Sequence, residues 1–396
     1  EQLVPRRLPA WAVWATIAAA LLMAVLVVGA WWFARRAPTT PAAAMPPVSV
    51  LIADFQNRTN DPVFDGTLEP VFSVAMEGAS FITAYRRTQA RKIAEQLQPG
   101  ATGLDESVAR LVARREGINV VLSGSITSQG DRYTISVRAV DAVTGKPIAA
   151  REAKGIQRDS ILAEIGRLAA PIRKELGDTT PESVQRAAAE TFTAANLDAA
   201  HLYSVGQDLV EQGKGEEAIR YYQSAVQLDP KFGRLYAALA VASLNLKRQE
   251  QASEYYEKVL PLLDQMSERE KLRTLGTYYS AFLHNYPQAI ETYRKLVSLY
   301  PGDGVGWNNL SIALVFTLNI PEALNASRRA LEASPRSLQY RLNFALYSMY
   351  AGEFQNAITE AQRILKENPS YEFAYLPLAL STLGRGDVQG ARAIYA

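Results

Sequence analysis

The sequence predicts a multidomain fold: one transmembrane helix, a small α/β sandwich domain, and an all-α solenoid of helix–turn–helix repeats. Three observations carry this expectation. Trp11 to Phe33 is a run of 23 residues without a charge. Residues 48–177 alternate short apolar runs of strand length with amphipathic helical stretches. Finally, Pro230, Pro301, Pro335 and Pro369 fall 71, 34 and 34 residues apart, a fixed beat that stacked helical repeats leave in a sequence. A chain of 396 residues is too long for one core, so several domains are expected.

Composition narrows the functional classes. Lysine and arginine total 42 against 40 acidic residues, a net charge of +2. No basic tail or block stands out, which argues against a nucleic-acid footprint. The absence of cysteine removes disulfides and thiolate metal sites. His201 and His284 are far apart and unaccompanied, a poor basis for zinc. The chain starts at Glu1 rather than Met, and Ala396 falls inside the expected second helix of a repeat. The expectation is therefore a fragment of a longer protein.

In chain order, a juxtamembrane tail (1–10) leads into the apolar run. At about 1.5 Å per residue, Trp11–Phe33 reaches roughly 35 Å, enough for a hydrocarbon core of about 30 Å. Trp11 and Trp14 stand at one end, Trp31 and Trp32 at the other, as an aromatic belt requires. Arg6 and Arg7 flank one side, Arg35 and Arg36 the other, so charge leaves the orientation open. A cleaved signal peptide has a shorter apolar core, and the paired Trp and Arg after the run read as a stop. The lipid bilayer is thus an expected partner of this segment. A Pro/Ala linker (34–47) follows, extended because prolines this dense disfavour helix.

Val48 to Phe55 reads as a buried strand that ends in the polar turn Gln56 to Pro62. A helix is expected from Val63 to Gly78, a strand at Phe81–Tyr85 and a helix at Thr88–Leu97. Asp105 caps a third helix that Gly117 ends. Ile118 to Ile126 is another buried strand. Tyr133–Val140 and Pro147–Ile156 form a hairpin across Asp141–Lys146. Ser160 to Leu176 closes the domain as an amphipathic helix. The order βαβααβββα describes one α/β unit over residues 48–177, followed by a connecting helix at 178–198.

The repeats occupy 199–396, with starts near Ala199, Gly233, Glu270, Gly304, Leu338 and Glu372, five complete and the sixth cut short. Leu202, Val205, Gly206, Ala218, Ala225 and Pro230 recur as Trp307, Leu310, Ser311, Ala323, Ala330 and Pro335, with Tyr222 as a further large residue of the first unit. This small/large alternation at a 34-residue period resembles the tetratricopeptide repeat. Three extra residues fall within Asp264–Arg269 after Pro261, and Arg273 stands where the third repeat should have a large apolar residue. The opening VLIADFQNRTNDPVFDGTLEPVFSVAM and the later VVLSGSITSQGDRYTISVRAVDAVTGK resemble the TolB-like amino-terminal domain. The whole combination is similar to the region behind the catalytic domain of bacterial membrane-anchored serine/threonine kinases. That resemblance implies a cytoplasmic kinase before Glu1 and a single pass through the inner membrane, with residues 48–396 periplasmic. Related layouts occur behind winged-helix DNA-binding domains and nucleotide cyclases, and a non-enzymatic subunit of a larger membrane complex is a further alternative.

Catalytic chemistry is not legible here. No Gly-rich phosphate loop, strand lysine or catalytic-loop set is present, so the chain is expected not to be an enzyme and to need no cofactor or metal. Asp54, Asn57, Asn60, Asp61 and Asp65 gather oxygen ligands, but Asx-rich turns commonly satisfy their own backbone. What remains is binding of a protein or peptide. In this repeat family the first helix of each unit lines a concave groove. Position by position, that places Tyr203, Gln207, Tyr278, Phe282, Asn308, Ile312, Phe316, Asn343, Leu346, Met349 and Tyr350 in the groove. Its aromatic and Met content suits an amphipathic helix or an extended peptide.

Overall fold

The computed structural model describes residues 47–100, 103–180 and 194–395. The expected membrane helix at Trp11–Phe33, its tail and nearly all of the linker lie outside the described residues, as does most of the expected connecting helix. Among the described residues no helix is long and apolar enough to cross a membrane. Their longest helices have 15 residues, about 22 Å at 1.5 Å per residue, and carry charges along their length. The fold class is corrected accordingly: a mostly helical repeat solenoid with a small sheet region, in which the single transmembrane helix finds no support.

The sheet region begins with β1 (Val48–Ile52) and β2 (Gln56–Arg58). Next come α1 (Leu68–Met76), β3 (Ile82–Ala84), α2 (Arg87–Leu97) and α3 (Glu106–Glu116). Strands β4 (Val120–Gln129), β5 (Arg132–Asp141) and β6 (Pro147–Ile156) precede α4 (Ile161–Glu175). The strand order is β3-β1-β4-β5-β6, with β2 also on β4. β1 runs parallel to β3 and β4, and β4, β5 and β6 pair antiparallel. Because side chains alternate along a strand, Val50 and Ile52 enter one core with Phe72, Met76 and Ile172. Leu51 and Ala53 enter the other with Ala90, Ile93 and Val112. Burial on both faces explains why β1 reads as continuously apolar.

Residues 56–58, read from sequence as part of a turn, instead pair with Ser125–Thr127 of β4. β4 has 10 residues and β1 only 5, so β4 offers unpaired backbone that the chain rejoins. The crossing needs Gly124, since a Cβ there would collide with the Phe55 ring. Asp105 caps α3 through Val108 N, and Gly117 closes it in the left-handed region at φ 74°.

The solenoid is built of helix pairs. They are α5/α6 (Leu197–Glu211, Gly215–Leu228) and α7/α8 (Gly233–Asn245, Gln249–Val259). α9/α10 follow at Glu268–Thr277 and Tyr286–Leu299, then α11/α12 at Gly304–Phe316 and Ile320–Ala333. α13/α14 (Leu338–Tyr350, Phe354–Glu367) and α15/α16 (Tyr375–Gly384, Val388–Tyr395) complete them. The first and third pairs close where a glycine of the first helix meets an aromatic ring of the second. Gly206 takes Tyr222 and Gly276 takes Tyr293, at a separation no Cβ would permit. A π-helical turn at Tyr278–Phe282 extends α9. The extra residues after Pro261 form a short 3-10 helix, Leu260–Gln265, and Ser267 then builds a capping box with Glu270 that starts α9.

One apolar core runs from the sheet into the repeats. Phe64, Phe72, Ile165 and Ile172 belong to the same buried cluster as Leu197, Tyr203, Phe232 and Met266.

Candidate functional site

The first helices of the repeats face the α/β domain. On α5, Ser204 Oγ donates to Gly66 O at 2.6 Å, and the His201 ring nitrogen meets Thr67 Oγ1 at 2.8 Å. Asp208 of the same helix receives Arg91 at 3.4 Å. At the start of α11, Thr83 Oγ1 donates to Gly302 O at 2.6 Å. β3 is the sheet's edge strand, and an uncovered edge invites foreign pairing. Here Arg269 of α9 covers it, donating to Glu77 O at 3.0 Å and Ile82 O at 3.1 Å.

Asp303 anchors this junction. It is fully buried and accepts from Arg269 Nε at 2.8 Å, Arg273 Nε at 2.9 Å and Gly306 N at 2.8 Å. The last bond also caps α11. Arg273 reaches Glu77 of the α/β domain at 3.3 Å. Burial pushes the Asp303 carboxyl up, but the two guanidiniums outweigh it and hold it well below the usual carboxylate range. Arg273 thus departs from the repeat pattern because it serves the junction.

Between the two halves lies a cavity of about 660 Å³. Its walls include Ile52 and Tyr85 at the carboxyl ends of β1 and β3, Glu69 of α1, and Tyr203, Arg234 and Tyr340 of the solenoid. Asp54, just after β1, is paired to Arg87 at 2.9 Å and Arg91 at 3.2 Å and accepts from Leu104 N at 2.8 Å. Desolvation raises its carboxyl, yet the arginines and that backbone bond bring it below its ordinary value. The neighbouring Asx turn satisfies itself: Asn57 Nδ2 donates to Asp61 O and to Asp65 Oδ1, and Asp61 Oδ1 accepts from Val63 N.

The eleven groove residues proposed from sequence fall into five groups. Tyr203 is buried against Phe232 and Tyr222, and Gln207 donates to Tyr222 Oη at 2.8 Å; both line the cavity. Tyr278 and Phe282 are half-buried around Tyr256, with ring centroids 4.9 and 5.1 Å away. Asn308 and Asn343 are buried and bonded to each other at 2.8 Å, tying α11 to α13. Ile312, Leu346 and Met349 are half-buried. Phe316 is 61% exposed and Tyr350 51% exposed, and the Phe316 ring stacks on Tyr286 at 4.6 Å. Sequence reasoning missed two groups. Arg269, Arg273 and Asp303 make the junction, signalled only by the Arg273 anomaly and the insertion beside Arg269. Phe373, Leu376, Leu380 and Leu383 form an exposed apolar row on and just before α15, which the spacing of 3, 4 and 3 residues would have revealed.

A family profile described as tetratricopeptide repeat matches residues 209–274. The tetratricopeptide repeat-containing protein trd-1 of Caenorhabditis elegans is 28% identical over 156 residues, 38% of this chain and 19% of that protein. The peroxisomal targeting signal receptor of Kluyveromyces lactis is 26% identical over 164 residues, 41% of this chain and 28% of that protein. The chain therefore spans less than a third of the length of these curated relatives. The crystal structure of PilW, a widely conserved type IV pilus biogenesis factor, aligns at 17% identity and a TM-score of 0.44, covering 50% of this chain and 91% of PilW. The chain carries a tetratricopeptide repeat region, a scaffold for protein interaction.

Proposed function

We propose that the chain is the interaction module of a larger signalling protein and holds an apolar-faced peptide segment of a partner protein. One observation carries this reading: the first helices of three successive repeats carry apolar side chains that the protein's own core leaves exposed. Phe316 and Tyr350 end the first helices of two successive repeats, and Phe373, Leu376, Leu380 and Leu383 continue in the next. Exposed aromatic and leucine side chains gathered on and just before one helix, as from Phe373 to Leu383, are unusual on a free surface and favour recognition. A partner helix with apolar residues at intervals of three and four would match them. The larger context rests on the TolB-like resemblance of residues 50–76 and 120–146 beside the repeats. On that ground the chain is the non-catalytic, sensory part of a receptor-like bacterial serine/threonine kinase.

Selection from a displayed random-peptide library tests this reading. Enriched peptides should carry apolar residues in a helical pattern. The double substitution Phe316→Ala with Tyr350→Ala should weaken their binding by about 2–4 kcal/mol, the loss typical of aromatic anchors. Stability should change by less than about 1 kcal/mol, because exposed rings bury little area in the free protein. Unchanged peptide affinity in the double variant would remove the proposal.

A further inference from the structure

The cavity between the α/β domain and the repeats has features that the peptide-binding reading does not use. It opens at the carboxyl ends of the parallel strands β1 and β3, where open α/β sheets leave a crevice for ligands. Its volume of about 660 Å³ lies in the range of small-molecule sites, about 300–1,000 Å³.

Glu69 gives the cavity its chemistry. The residue is 2% exposed and forms part of the wall. One carboxyl oxygen, Oε1, accepts from Phe55 N at 2.8 Å and from Arg87 at 3.4 Å. The other, Oε2, is buried with no hydrogen-bonding partner. A buried carboxylate oxygen lacking a donor is an acceptor waiting for one. The arginines on its wall are matched by acids: Arg87 with Asp54 and Glu69 Oε1, Arg234 with Glu270, Arg273 with Asp303 and Glu77, and Arg86 facing Glu211. Glu211, on the solenoid wall, adds a second carboxyl, which desolvation raises above its ordinary value. Tyr203 and Tyr340 line the same space and suit a carbon chain ending in a cation.

We propose that this cavity binds a small molecule carrying a protonated amine, which donates to Glu69 Oε2. The site lies apart from Phe316 and Tyr350, so it stands or falls independently of the peptide-binding reading.

Calorimetric titration and thermal melts of the full chain test it, with diaminobutane and free arginine as probes. Butanediol serves as an uncharged control of similar length, and inorganic phosphate as an anionic one. Diaminobutane or arginine should bind and raise the unfolding midpoint, whereas butanediol and phosphate should not. The isosteric change Glu69→Gln should weaken amine binding at least tenfold. Ala237→Phe, which adds bulk to the cavity from the solenoid side, should weaken it similarly while the circular dichroism spectrum is retained. Absence of amine binding, equal binding of butanediol, binding of phosphate alone, or full amine affinity in Glu69→Gln would each overturn the proposal.

Discussion

Replacing Asp303 by alanine should destabilise the protein by about 3–5 kcal/mol, the usual cost of removing one partner from a buried ion cluster. The change leaves Arg269, itself buried, and Arg273 without the carboxylate that both share. It also removes the cap on α11, worth about 1 kcal/mol in its own right. Asp303→Asn keeps a capping oxygen and should lose less, which separates the cap from the charge. Acid should produce a graded version of the same loss. The folded carboxyl sits below the ordinary value of 3.8, so the unfolded chain takes up the proton first. Its contribution is complete above about pH 4 and declines as the pH falls from there toward the depressed folded value. Urea unfolding at pH 7 and pH 3 measures both effects. A loss below 1 kcal/mol in Asp303→Ala would contradict this account of the junction.

Tyr293→Ala should cost about 3–5 kcal/mol, the range for a buried aromatic. The ring is 1% exposed, packs over Gly276 and belongs to the cluster that holds the third and fourth repeats together. Its hydroxyl meets Ser280 at 3.3 Å and Thr277 and Asn309 at 3.4 Å. Burial raises the phenol above its ordinary value, so it stays neutral under working conditions. Tyr293→Phe should therefore lose only about 1 kcal/mol, the net worth of ordinary hydrogen bonds. Chemical denaturation of the two variants separates ring packing from the polar tip. Near-equal losses would show that the hydroxyl, not the ring, holds the repeats.

How far the sequence could be read follows the range of the interactions. Local signals were legible. The proline beat and the small/large alternation that includes Gly206 and Tyr222 marked the repeats, Asp105 and Gly117 bracketed α3, and Asp141–Lys146 marked the β5–β6 hairpin. Each depends on neighbours in sequence or on one repeat's internal packing. β2 was not legible, because three polar residues become a strand only when a longer partner offers free backbone. The docking of the α/β domain was hidden for a similar reason. Arg269 and Ile82 are 187 residues apart, and no periodicity announces such a pair. The same docking explains why Tyr203 and Gln207 line the cavity between the two halves while Phe316 and Tyr350 remain outside it. The membrane helix was inferred from apolar length, terminal tryptophans and flanking arginines at 11–33, outside the described residues, and the described helices have neither that length nor that apolarity.

The central claim is that the first helices of the repeats hold the chain's own α/β domain, while Phe316 and Tyr350 stay exposed. A cysteine pair tests it directly, since the protein has no cysteine of its own. Thr83 Oγ1 lies 2.6 Å from Gly302 O, and a Cβ built on Gly302 would stand 3.1 Å from that hydroxyl, within bridging range. Under mild oxidation, Thr83→Cys with Gly302→Cys should form a crosslink within one chain, seen as a mobility shift reversed by reductant and absent from either single variant. Persistent free thiols in the oxidised double variant, or crosslinks only between chains, would contradict the docked arrangement.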